Sequence, residues 1–223
     1  MKIIGLKYSQ AAFLLGFTLN TVSFPESPLN AAFLPKSELP VRESASVPVA
    51  ASLSEFSLNI RHQNVPFYSQ FRDISIAKWK KLGCGVAGLA MLIEYQIGRP
   101  VSVMQLLFEG IAAGAFQNGV GWKHQALASL AENYGLNGRA YDLSTKNNRA
   151  ALQELLGVLR DGPVLISIHH KFDPARTLGH LVAVTGFEND VFFYHDPEGP
   201  DQARVISTAD FLKGWKKRFI AVR

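Results

Sequence analysis

"KLGCGVAGLAML", residues 81–92, holds the only cysteine of a 223-residue chain. From Val86 to Ile97 the residues are apolar almost all round, with Glu94 and Gln96 the main interruptions. A helix apolar on every side belongs in a core, and "GRP" at 98–100 stops it. The pattern therefore predicts a buried helix over 83–97. Cys84 falls in its first turn, where unpaired backbone N–H groups and the helix dipole present positive potential. Gly83 and Gly85 flank the sulfur and read as room for a carbonyl to approach it. This segment alone leaves two readings open: a small buried hydrophobe or a nucleophile.

Outward from that helix toward the N-terminus, the chain changes character. Lys2 and Lys7 precede the apolar run "AAFLLGFTL" at 11–19, which has the layout of a secretory signal. Residues 1–24 are expected to be a signal peptide or an N-terminal tail. The expected destination is the secreted or periplasmic space, with the cytoplasm as the alternative. The run is shorter than the about 20 residues a bilayer span needs, so no stable membrane span is expected. Residues 25–58 carry "FPESPLN", "LPKSELP" and "SASVPVAASLSE". Such Pro-, Ser- and Ala-rich sequence without a period reads as a flexible linker. The folded domain is expected over 59–223.

Composition narrows the function classes. At 48% apolar and 18% charged residues, the chain is of globular type. A single cysteine excludes an intramolecular disulfide. The formal net charge of +5 is matched by five basic residues between Phe211 and Arg223, a stretch with no acid. A nucleic-acid groove needs basic residues spread over a face with stacking aromatics, so no nucleic-acid partner is expected. The cluster reads as a solvated edge.

Toward the C-terminus the elements alternate. "NVPFYSQ" at 64–70 is a short extended piece. Ser102 caps a short helix to Glu109, and "GIAAGAFQNGVG" is a glycine-rich loop, either a lid or a connector. "WKHQALASLAENYG" is an amphipathic helix stopped by Gly135, "GRAYDL" a strand, and "NNRAALQELLGVLRDG" a second amphipathic helix. Three strands follow, "PVLISIHH", "HLVAVTGF" and "VFFYHD", then a helix capped by Ser207 and a last strand "RFIAV". Helices dominate the first half and an antiparallel sheet the second, an α+β layout.

A cysteine nucleophile needs an imidazole to take its proton and a third group to orient the imidazole. His180 opens a strand that is apolar on both faces. Asp196 ends the next strand, fixed by Pro197. Reading 188–190 as a three-residue hairpin loop pairs Phe187 with Val191 and makes Asp196 a diagonal neighbour of His180 on one face. Gln70 is a candidate side-chain donor to an oxyanion, beside the Cys84 backbone N–H. His169, His170, His180, His195 and Asp196 match no zinc spacing, and no metal or cofactor is expected. His62 and His124 read as surface residues, Glu94 as a partnered or edge-facing carboxylate, and Trp122 and Trp215 as packing anchors.

"VPFYSQ", "CGVAGLAML", "HLVAVTGF" and "YHDPEG", in this order, resemble the papain-like cysteine peptidases of the double-glycine, bacteriocin-processing type. The stand-alone, family-thirty-nine-like relatives are the most similar group. The resemblance covers 64–223 and implies a papain-like fold, a peptide or protein substrate, and hydrolysis through a thioester. It implies Cys84 as nucleophile, His180 as general base, Asp196 as orienting carboxylate and Gln70 as oxyanion donor. Two positions depart from the pattern: Gly83 stands where those peptidases carry an acidic residue, and thirteen residues separate Gln70 from Cys84. Two further readings use the same residues: a peptide-binding module that keeps the fold without catalysis, and an acyl or amide transferase. Oligomeric state is not readable from the sequence.

Overall fold

The first turn of the all-apolar helix sets the frame, because everything else packs around it. The computed structural model describes residues 58–199 and 203–223. The expected signal-like segment 1–24 and the linker up to 57 lie outside the described residues.

In chain order the elements are β1 (Ile60–Arg61), α1 (Ala77–Lys80), α2 (Cys84–Ile97), α3 (Val103–Ala112), the hairpin β2 (Phe116–Gln117) and β3 (Gly121–Trp122), and α4 (His124–Ser129). A 3-10 turn, Leu130–Tyr134, follows α4. Then come β4 (Gly138–Asp142), α5 (Asn148–Leu159), β5 (Val164–His169) and a 3-10 turn, His170–Phe172. The chain closes with β6 (Gly179–Glu188), β7 (Val191–His195), β8 (Arg204–Ser207), α6 (Thr208–Gly214) and β9 (Trp215–Val222). The pairing order is β4-β9-β5-β6-β7-β8, antiparallel throughout, and β1 joins β6 beyond the end of β5.

Alternation along β6 builds two cores. Leu181 and Ala183 join Leu165, Ile220 and the buried residues of α2, α3 and α4. Val182 and Val184 join Leu152, Leu155 and Leu159 of α5 and Phe211 of α6. A strand buried on both faces is held rigidly, and β6 is the strand that carries His180. The caps follow the sequence: Ser102, Asn147 and Ser207 each accept from a backbone N–H of the first turn. Gly98 ends α2 in the left-handed conformation, at φ 67°.

Several expectations shift. Helix α3 runs on to Ala112 and takes the start of the glycine-rich loop. The rest of that loop is the β2–β3 hairpin, tied down by Trp122 Nε1 donating to the Leu82 carbonyl at 2.6 Å. It is a connector anchored to the approach to α2. The 188–190 loop has two residues, Asn189 and Asp190, at φ 49° and 64°, and Glu188 pairs with Val191. Two left-handed residues suit the strand twist in a tight hairpin. That shortening alone would turn His180 and Asp196 to opposite faces. A bulge in β6 at Thr185 adds back one residue, so Ala183 stands opposite His195. One step further, Asp196 is level with Val182 and diagonal to His180.

Candidate active site

The sulfur, the imidazole and the carboxylate come together at one end of the sheet. Cys84 begins α2 and is only partly buried, so the sulfur is not sealed in the core. The flanking glycines serve packing and not substrate access. A Cβ at Gly83 would stand 2.1 Å from Ile74 Cδ1, and one at Gly85 would stand 2.6 Å from the Trp122 ring. Neighbouring side chains already fill the room the sequence seemed to leave, and they lock the first turn of α2.

His180 is 5% exposed. Its Nε2 donates to Asp196 Oδ1 at 2.7 Å, and the ring also interacts with Cys84. With Nε2 committed to the carboxylate, Nδ1 is the nitrogen left for the sulfur. Burial works to lower the His180 pKa. Hydrogen bonds to Asp196 and Cys84, with their charges, more than offset it and raise the imidazole to about 10. Burial likewise works to raise Asp196. The hydrogen bond to His180, the imidazolium charge, the Glu198 N–H and the Arg204 guanidinium together hold it below the ordinary carboxylate value. The Glu198 N–H donates to Oδ1 at 3.0 Å, and Arg204 Nη1 lies 3.5 Å from Oδ2.

Gln70 is fully buried, next to the start of α2. A Cβ at Gly83 would stand 3.5 Å from Gln70 Cβ. One amide hydrogen of Gln70 goes to the Lys80 carbonyl at 2.8 Å. That carbonyl can only accept, which fixes the amide orientation. Gln70 Oε1 is buried without a hydrogen-bond partner. Each buried unsatisfied polar atom costs about 1–3 kcal/mol.

Two further residues, given no catalytic role by the sequence, adjoin the His180–Asp196 pair. His170 Nε2 donates to Glu198 Oε2 at 2.7 Å, and the His170 and His180 rings meet edge to face, centroids 5.7 Å apart. A second histidine–carboxylate pair thus flanks the first. The faint signal for it was the "DPE" spacing, which sets Glu198 two residues beyond Asp196. His169 turns elsewhere, its Nδ1 2.9 Å from the Arg176 carbonyl oxygen.

The remaining candidates are structural. Glu94 accepts from the Tyr68 hydroxyl and, at 3.0 Å, from the Val101 N–H. His62 and His124 are half-buried, against the surface expectation. His62 bridges the Leu159 carbonyl and the Tyr95 hydroxyl, and burial lowers the His124 pKa. Buried His195 has Nδ1 3.2 Å from the Pro66 carbonyl. Trp122 and Trp215 are buried anchors, as the sequence implied. Among the described residues, no group of three or more His, Cys, Asp or Glu side chains is arranged to hold a metal ion. No helix there is long and apolar enough to cross a membrane.

This is the layout of a papain-like cysteine peptidase fold: a cysteine at the head of a buried helix, against a histidine and an acid on an antiparallel sheet. The chain belongs to the Peptidase C39 like family, whose model matches residues 62–222. No curated protein matches it. Among solved structures it is similar to a C39-like peptidase from Bacillus anthracis, with 21% identity and a TM-score of 0.54, covering 74% of this chain and 98% of that one. A double glycine motif protease from an AMS/PCAT transporter, in complex with its leader peptide, is 19% identical with a TM-score of 0.48, covering 74% and 97%. The peptidase domain of Streptococcus ComA, a bifunctional ABC transporter of a quorum-sensing pathway, is 19% identical with a TM-score of 0.47, covering 64% and 91%.

Proposed function

We propose that this protein is a cysteine peptidase that hydrolyses a peptide or amide bond through a Cys84 thioester. The observation that carries the proposal is the His180 ring hydrogen-bonded to Asp196 and interacting with Cys84. Cys84 gives its proton to His180 Nδ1 as its sulfur attacks the carbonyl carbon of the bound peptide, and the C=O electrons move onto oxygen. The resulting oxyanion accepts from the Cys84 backbone N–H, which opens α2, and from the second amide hydrogen of Gln70. His180 Nδ1 gives its proton to the leaving nitrogen as the C–N bond breaks, which leaves a thioester. The imidazole then takes a proton from water, whose oxygen attacks the thioester carbon. Collapse of that second intermediate releases the acid and restores the sulfur. Asp196 keeps the ring in the tautomer and orientation both steps need.

The test is digestion of an internally quenched peptide library by the full chain and by Cys84→Ala. Loss of all turnover in the variant, with an unchanged circular dichroism spectrum, is the expected result. Retained cleavage by a folded Cys84→Ala protein would reject the thioester mechanism.

A further inference from the structure

A cavity of about 530 Å³ has in its wall Asp196 and Glu198, the carboxylates hydrogen-bonded to His180 and His170. Phe71, Phe172 and Tyr194 supply aromatic surface, and Lys171 and Arg204 bring two cations. We propose that this cavity is a subsite for a carboxylate carried by the leaving-group half of the substrate. The inference rests on the peptidase reading and adds the chemistry of what is released.

The position follows from the mechanism. His180 protonates the departing nitrogen, so the chain beyond the cut must pass over the imidazole. It then runs from the sulfur toward Asp196.

The charge follows from the pairings. Asp196 is engaged by His180, the Glu198 N–H and Arg204, and Glu198 by His170. Both acids in the wall are therefore hydrogen-bonded by groups of the protein. Lys171 is exposed, and among the described residues its ammonium makes no hydrogen bond or ion pair. Among the described residues, the charged cavity side chain left without a partner is this cation, and a carboxylate complements it.

The wall is also specially shaped. Lys171 and Phe172 are consecutive non-glycine residues at φ 60° and 57°, a conformation such residues rarely adopt. It is sustained by close packing: a Cβ on Gly214 of α6 would stand 2.3 Å from Phe172 Cα. The Phe172 ring packs edge to face on Tyr194, centroids 5.4 Å apart. The fold thus holds this turn of chain against the cavity, with Lys171 on its exposed side.

The carboxylate has two possible sources, an acidic side chain or the free C-terminus of a short leaving peptide. The test measures binding first, in Cys84→Ala protein, by NMR chemical-shift titration with Ala-Glu-Ala-amide, Ala-Gln-Ala-amide, Ala-Lys-Ala-amide and the free acid Ala-Gln. The Glu peptide is expected to bind about fivefold tighter than its Gln counterpart, the scale of one partly exposed ion pair. Adding Lys171→Glu should transfer the preference to the Lys peptide. Tight binding of Ala-Gln acid over Ala-Gln-Ala-amide would assign the C-terminal source, and tight binding of the Glu peptide alone the side-chain source. Equal binding of all four, or a preference that Lys171→Glu leaves unchanged, would overturn the proposal. Turnover is scored separately with Lys171→Glu on the active protein. A carboxylate preference in binding without Cys84-dependent cleavage by the wild type would remove the peptidase reading and leave the charge selection standing.

Discussion

The backbone N–H of Gln70 donates to the carbonyl of Pro197 at 2.9 Å. That bond joins the segment holding the candidate oxyanion donor to the turn holding Asp196, far apart in sequence. The two flanks of the site are therefore one piece, and disturbing either should register at the other.

Replacing Gln70 by alanine removes a side-chain donor from the start of α2. Steady-state kinetics should show kcat reduced by about 10²–10³-fold with KM little changed, the pattern of a lost oxyanion contact. A KM effect alone would instead assign Gln70 a packing role.

The His180–Asp196 pair sets a pH dependence at both ends. His180 is raised to about 10 in the folded protein, so its contribution to stability is complete below its ordinary value of about 6.5 and fades as pH climbs through the raised value. Asp196 is lowered, so its contribution is present above about 3.9 and is lost on acidification through the depressed value. NMR titration of the His180 ring should place its midpoint well into the alkaline range. Asp196→Asn and Cys84→Ala should each move that midpoint downward. A midpoint unmoved by both would contradict the coupling.

His170 braces the imidazole ring through packing and Glu198 through a hydrogen bond. His170→Ala should lower kcat by about tenfold, the cost of a small displacement of a reacting group. His170→Phe keeps a ring but loses the bond to Glu198. Partial recovery in that variant, together with a His180 midpoint nearer to wild type, would separate ring packing from the hydrogen bond.

Gly85→Ala is expected to destabilise the fold despite improving helix propensity. Alanine gains about 1 kcal/mol over glycine inside a helix. Here the new methyl meets the Trp122 ring at 2.6 Å, and overpacking typically costs about 1–3 kcal/mol. Urea denaturation should show a lower midpoint, and intrinsic fluorescence should report the displaced tryptophan.

The long periodic elements were legible because their signals are repeated many times over. Twelve nearly continuous apolar residues announced α2, and each flank of β6 declared a buried strand. The short ones were not. Strand β1 has two residues and β8 lies at an edge, and neither carries enough alternation to stand out. The register of β6 with β7 was reached for a partly wrong reason: the loop is shorter than expected, and the Thr185 bulge compensates. A bulge here leaves no mark in composition, since any residue in a strand rich in valine and glycine can supply the extra position. The His170–Glu198 pair was hidden because its members meet only through the strand-end turn after β5. The room attributed to Gly83 and Gly85 was misread because Ile74 and Trp122 approach from elsewhere in the chain.

The Thr185 bulge also separates two tasks along a single strand. The tip of the hairpin, at Asn189 and Asp190, is free to satisfy the geometry of a tight reversal. The base, at His180, keeps an alignment that the reversal alone would have spoiled. One surplus residue in the middle of β6 thus decouples how the ribbon turns from what its open end presents. Lengthening the tip by one residue while deleting Thr185 should leave the imidazole and the carboxylate facing each other.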